Sequence, residues 1–250
     1  MIDIHIKEKA FEQKCIIKDL RFTVDSGELV VLFGPSGAGK STLLNLIAGL
    51  DNAFVGSVKL NVEQRDSDFQ QHDPHSVGLM FQEARLMPWL SALENVALVA
   101  KPVQENAKRR ASQLLQDVGL GDYLHAFPNQ LSGGMCKRVA LARAFMYAPP
   151  LLMMDEPFSS LDAPSAHQLR QQLLALQTDN NNAVLYVTHD LKEAVTIADR
   201  ILFLSHHPMQ ILGEEEINLD KPRDINSSAV NDLCIQLHAR YPVLVTGQSQ

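Results

Sequence analysis

The sequence predicts an α/β protein with a mostly parallel sheet, and three observations lead there. Short apolar runs of the kind that suit buried parallel strands recur at residues 29–33, 77–81, 151–154 and 183–188. Helix-period stretches alternate with them, which favours strands joined by crossover helices. Between the first run and its helix lies a glycine-rich turn, Gly34-Pro35-Ser36-Gly37-Ala38-Gly39-Lys40-Ser41.

In chain order, residues 1–33 read as strands, with Ile2, Ile4 and Ile6 in period-two alternation. The run Glu28-Leu29-Val30-Val31-Leu32-Phe33 feeds the glycine-rich turn, and Thr42-Leu43-Leu44-Asn45-Leu46-Ile47-Ala48 continues as a helix. Strand, turn and helix in that order are the context in which such a turn binds a triphosphate. Its glycines let backbone N–H groups close around phosphate oxygens, and the helix start adds partial positive charge. Lys40 is expected to reach the β- and γ-phosphates, and the Ser41 hydroxyl to ligate Mg²⁺.

The run at 77–81 ends at Gln82, and from there to about residue 138 the alternation is interrupted by two helical patterns, 91–100 and 104–118. Leu131-Ser132-Gly133-Gly134-Met135 then leads into a helix-like stretch over 137–144. A hydroxyl and two glycines at a helix start make a second anion site. Pro149 and Pro150 stop that helix, and the strand that follows carries two acids at its carboxyl end. Asp155 is expected to hold the metal, and Glu156 to polarise an attacking water as general base. Asp162 precedes Ala163-Pro164 as a helix cap. His189 follows the strand at 183–188. Past His207, a strand-like 209–212 and a helical 229–241 fill about forty residues, too few for an independent core or an added regulatory domain.

Composition bounds the answer further. With 250 residues and 46% hydrophobic content, the chain has ample material for a core. A net charge of −7 argues against a broad nucleic-acid surface, and Lys108-Arg109-Arg110 reads as a solvated helix face. Cys15, Cys136 and Cys234 are odd in number and widely spaced, which fits reduced thiols better than a metal site or a disulfide framework. No apolar run approaches the ~20 residues that span a bilayer, and the first residues lack a basic region followed by an apolar one. A place in the cytoplasm is expected, with any membrane role coming through separate chains.

Together these segments resemble the ATP-binding cassette (ABC) family, over residues from about 2 to about 223. The resemblance implies a P-loop NTPase core with a mostly parallel sheet, an antiparallel β subdomain and a helical subdomain inserted at about 83–138. It places the ATPase domain at 1–225 and a short C-terminal helix and tail at 226–250. It implies that ATP is held by Gly34, Pro35, Ser36, Gly37, Ala38, Gly39, Lys40, Ser41 and Thr42, with Asp155 on the metal side. Gln82 would touch Mg²⁺ and the lytic water, and His189 would contact the γ-phosphate and orient Glu156. Two copies would pack head to tail, so that ATP on one phosphate loop is closed over by Ser132, Gly133 and Gly134 of the other. Asp162 would lie in the loop that crosses this interface. Phe11 stands about two dozen residues before the phosphate loop, where the family has a ring stacked on adenine. Packing in the core is its alternative reading. Met135 replaces the Gln often found at the fifth position of the signature.

Phe81-Gln82-Glu83-Ala84-Arg85-Leu86-Met87-Pro88-Trp89, Leu93-Glu94-Asn95-Val96 and Asp220-Lys221-Pro222-Arg223-Asp224 are similar to import ATPases of the nitrate, sulfonate and taurine group. That similarity implies a homodimer of ATPase subunits at the inner face of the cell membrane, bound to two integral membrane permease subunits. An extracytoplasmic solute-binding protein would complete the system. Trp89 would anchor the permease contact, or else lie buried within the helical subdomain. The alternatives are a soluble ABC ATPase not coupled to transport, which would usually carry paired cassettes or a long coiled coil, and a P-loop small-molecule kinase, which has no use for the signature.

Overall fold

The computed structural model describes residues 1–12, 14–60, 77–100, 106–146 and 148–242. They belong to two compact units, one built from Met1–Asp73 with Ala183–Gln250, the other from Pro74–Asn182.

In the first unit, the alternation of Ile2, Ile4 and Ile6 becomes β1 (Ile2–Phe11), with those three side chains buried. Strand β1 lies between β2 (Lys14–Val24) and β4 (Val55–Leu60), antiparallel to both. A second sheet is organised on β3 (Leu29–Phe33), buried at every position because parallel strands flank it on both sides. Its neighbours are β7 (Ala183–Thr188) and β8 (Arg200–Leu204), and β9 (Ile211–Glu216) runs antiparallel along β8. Strand β9 begins later than the strand-like 209–212. Met209 is spent elsewhere: it is fully buried, and its N–H donates to the Ile16 carbonyl. Helices α1 (Lys40–Ile47), α6 (Leu191–Ile197) and α7 (Ser228–Arg240) belong to the same unit, α7 burying Val230, Cys234 and Leu237. Arg223 clasps four carbonyls at 2.6–3.0 Å, those of Val195, Ala198, Ile217 and Leu219.

In the second unit, β5 (Val77–Met80) and β6 (Leu151–Asp155) pair in parallel, Met80 opposite Met154. Among the described residues four α-helices accompany them: α2 (Ala92–Ala97), α3 (Ala107–Asp117), α4 (Gly133–Phe145) and α5 (Ala163–Asn180). Helix α2 starts in a capping box, Ser91 accepting from the Glu94 N–H while Glu94 reaches back to Ser91. The pattern at 104–118 yields α3, with residues 104–105 lying outside the described ones. Helix α4 begins four residues before the helix-like stretch at 137–144, because Ser132 caps it at Gly133. The run Lys108-Arg109-Arg110 is only partly a solvated face. Arg110 turns inward and donates to the Met146 and Phe145 carbonyls at 2.7 and 3.3 Å. Among the described residues no helix is long and apolar enough to cross a membrane.

Candidate nucleotide-binding and catalytic site

The first unit carries the glycine-rich turn and His189 at matching ends of adjacent strands. Phe33, the last residue of β3, pairs with Thr188 on β7 and Phe203 on β8. Gly34 and His189 therefore leave the carboxyl ends of neighbouring parallel strands, where open α/β sheets bind ligands. A Cβ at Gly34 would stand 3.1 Å from both the Cβ and the carbonyl oxygen of Leu204, so the turn passes only because none is present. Gly39 has φ +104°, in the left-handed region, and it is the residue that opens α1. No side chain caps α1, the kind of helix start that suits an anion.

Lys40 is 5% exposed, and its ammonium spans the turn, donating to the Gly34 and Pro35 carbonyls at 2.8 Å each. The Ala38 N–H closes the turn on Pro35 at 3.3 Å. Ser36, Gly37 and Ser41 are exposed and Thr42 is half-buried.

Phe11 ends β1 with 51% of its surface exposed, which overturns the core-packing alternative. The Lys9 ammonium lies 4.5 Å from the ring centroid. Lys9 is itself buried and held by the Asp51 carboxylate at 2.6 Å and the Ala53 carbonyl at 2.8 Å. The Lys9 bond, with the Ala53 N–H that donates to Asp51 Oδ1 at 2.9 Å, keeps the Asp51 carboxyl below its ordinary range.

In the second unit, β5 and β6 end side by side, which brings Gln82 and the pair Asp155 and Glu156 to the same carboxyl edge. Glu156 has φ +43°, a strained conformation for a residue with a side chain. The turn is pinned by Ser159, whose N–H and hydroxyl both donate to the Glu156 carbonyl, at 3.2 and 2.8 Å. Asp162 is exposed and caps α5 by accepting from the Ser165 N–H at 3.3 Å. Hydrogen bonding to Ser165 holds its carboxyl below the usual range.

Ser132 opens α4, its hydroxyl accepting from the Met135 N–H at 3.2 Å. Gly133 is exposed, and a Cβ there would meet nothing within 4 Å; one at Gly134 would make ordinary contact with Ser165. The same helix holds the segment after Gln82. Lys137, buried on the α4 stripe it shares with Leu141 and Ala144, donates to the Gln82 carbonyl. Arg143 donates to the Ala84 and Arg85 carbonyls at 2.8 and 2.9 Å. Burial pushes the Lys137 amine down, and neighbouring Glu83 offsets part of that. Neither anchor was singled out from sequence, although a lysine on an otherwise apolar stripe was a signal for one of them.

The segment continues over Asn95, fully buried, whose amide donates to the Met87, Leu90 and Ser91 carbonyls at 3.0–3.1 Å and accepts from the Met87 N–H at 2.7 Å. Trp89 projects from it 69% exposed, so the buried reading of this residue is overturned. Arg85, at φ +44°, lies 3.9 Å over the Phe81 ring.

The metal expectation rests on oxygen donors. No cluster of three His, Cys, Asp or Glu capable of holding a metal exists among the described residues. Mg²⁺ needs none, because it is held by one or two carboxylates, a hydroxyl and substrate phosphates. Ser41, Gln82 and Asp155 are hard donors, exposed or half-exposed, and fit that chemistry. The three cysteines are free, and burial raises the Cys136 and Cys234 thiols, which disfavours their thiolates.

The fold and the phosphate loop define an α/β nucleotide-binding ATPase. Residues 17–159 match the family model described as ABC transporter, and the chain belongs to that family. It is 39% identical to the aliphatic sulfonates import ATP-binding protein SsuB 1 of Xanthomonas axonopodis pv. citri, over 95% of this chain and 96% of that one. It is 35% identical to the SsuB protein of Bacillus thuringiensis subsp. konkukian, over 87% and 85% of the two chains. Among solved structures, a dimeric post-hydrolysis state of the ATP-binding cassette MJ0796, bound to ADP and Pi, superposes with a TM-score of 0.73 at 29% identity. It covers 88% of this chain and all of that one.

Proposed function

We propose that this chain is the ATP-hydrolysing subunit of an ABC importer for a small solute of the sulfonate, taurine or nitrate kind. One observation carries the reading: a single chain presents two helix starts suited to phosphate, α1 with its own buried cation and α4 with only a hydroxyl and glycines. In this reading a second copy brings its α4 start to the nucleotide, and a solved relative is a dimer bound to ADP and Pi. Relatives named as sulfonate import ATP-binding proteins support the transport role.

In this reading Lys40 neutralises the β- and γ-phosphates, the α1 N–H groups donate to their oxygens, and Phe11 stacks on adenine. Ser41, Gln82 and Asp155 would hold Mg²⁺, which supplies further charge neutralisation at the phosphates. Glu156 takes the proton of the attacking water, and His189 orients that geometry at the γ-phosphate. Ser132, Gly133 and Gly134 of the second copy close the site, and Asp162 lies at the seam between the copies. ATP favours closure because its γ-phosphate gives contacts that ADP lacks. The subunit would sit at the cytoplasmic face of the membrane on its permeases, with a solute-binding protein on the far side.

Trp89 and Arg85 are the proposed permease contacts, an exposed aromatic and a cation on a segment anchored by Lys137, Arg143 and Asn95. Replacing both with Ala should leave basal ATPase and melting temperature near those of the parent. Co-purification with the permease and uptake of an alkanesulfonate should be lost. Normal uptake by the double variant would remove this segment from the coupling path.

A further inference from the structure

We propose that Glu193 is a positioning residue for His189, acting through the hydroxyl of Thr188; the inference rests on the ATPase reading above and on the place of His189 within it. Thr188 is the last residue of β7 and is buried, whereas His189 and Asp190 beyond it are exposed. The Thr188 hydroxyl donates to Glu193 Oε2 at 2.5 Å, and its oxygen accepts from the Asp190 N–H at 3.1 Å. These two bonds bracket His189, one anchoring the residue before it and the other the residue after. Asp190 completes the turn by capping α6, its Oδ1 accepting from the Lys192 and Glu193 N–H groups at 2.9 and 3.3 Å.

The carboxylate does something an apolar side chain would not. It is acceptor-only, so it dictates that Thr188 donates toward it, and the hydroxyl lone pairs are left for the Asp190 N–H. An apolar residue at 193 would let the hydroxyl rotate, and both flanks of His189 would loosen together. Glu193 is only 8% exposed, so the Thr188 hydroxyl meets its carboxylate away from solvent. The Asp190-x-x-Glu193 spacing looks in sequence like a capping box, but the structure turns the Glu193 carboxylate to Thr188.

The experiment uses the full chain and single-turnover hydrolysis of labelled ATP under saturating protein, which resolves slow variants. Glu193→Ala and Thr188→Val are each expected to slow hydrolysis about tenfold, with ATP affinity changed by no more than about twofold. Glu193→Gln keeps an acceptor and should recover most of the rate. The decisive measurement is made in the His189→Ala background, where Glu193→Ala should slow hydrolysis no further, because residues acting as one unit are not additive. An undiminished further loss there would show an independent structural effect and overturn the proposal, as would an unchanged rate in the single Glu193→Ala variant. Should Glu193→Ala fail to fold, Thr188→Val in both backgrounds gives the same answer. Failure of the ATPase reading is separately visible: His189→Ala by itself would then leave the rate unchanged.

Discussion

Helices α1 and α4 both begin with glycine and hydroxyl chemistry suited to an anion, yet they are built differently. Gly39 opens α1 with no side-chain cap, and Lys40 lies buried across the turn. Ser132 caps α4 with a hydroxyl already accepting from Met135, while Lys137 and Arg143 on that helix are committed to carbonyls of residues 82, 84 and 85. The first start has no side-chain cap and carries a buried cation, which in the proposed reading lets it bind a phosphate chain without help. The second has only the means to complete a site whose anion is brought to it. Affinity should therefore belong to α1, and closure between copies to α4.

The largest expected effect separates these two roles directly. Glu156→Gln keeps the shape at the end of β6 but removes the proposed base, with an expected loss of about 10²–10⁴ in hydrolysis. ATP should still bind on α1 and recruit the α4 start of a second copy, so the variant should accumulate as a dimer in ATP and Mg²⁺. Light scattering that shows only monomer, under conditions where the parent hydrolyses ATP, would mean that α4 does not close over nucleotide.

Lys40→Ala tests the other half of the contrast. Charged hydrogen bonds are worth about 1.5–3 kcal/mol, so ATP affinity in a calorimetric titration should fall roughly 10- to 150-fold. The same titration on Ser132→Ala at protein concentrations that keep the chain monomeric should show the parent's affinity. Equal losses in the two variants would erase the distinction between the helix starts.

Much of this architecture was legible in the sequence because it rests on local pattern. The strand, turn and helix around Lys40, the acids ending β6 and the Ser132 start each need only neighbouring residues to be recognised. What escaped depends on partners far along the chain. Lys137 meets Gln82 and Arg143 meets Ala84 and Arg85 across more than fifty positions, and hydrophobic periodicity says nothing of which carbonyl a buried cation will find. Arg110 was misjudged for the same reason, since its basic neighbours Lys108 and Arg109 are exposed while it serves two carbonyls at the end of α4. Exposure itself is a tertiary property. Phe11 and Trp89 carry the residue types of a core, and only the folded chain reveals both rings turned outward.

The smallest effects come from adding one methyl group to each helix start, and there the two should differ in sign. At Gly39 a Cβ would face φ +104° and lie 2.8 Å from Ile16 Cγ2, so Gly39→Ala should cost about 1–3 kcal/mol. Melting temperature should drop by roughly 2–4 °C for each kcal/mol in a chain of this size. Gly133 sits at the first helical position of α4 with ordinary backbone geometry and open space around it. Alanine there removes backbone freedom from the unfolded chain, so Gly133→Ala should melt at or above the parent temperature, by up to about 1 kcal/mol of added stability. ATP affinity of the monomer should stay the same, since nothing at α1 has changed. If the proposed closure holds, only ATP hydrolysis should suffer, because the methyl group would stand where the phosphate of the second copy's ATP approaches the α4 N–H groups. A Gly133→Ala variant that hydrolyses ATP as fast as the parent would leave α4 a capped helix start with no part in closure.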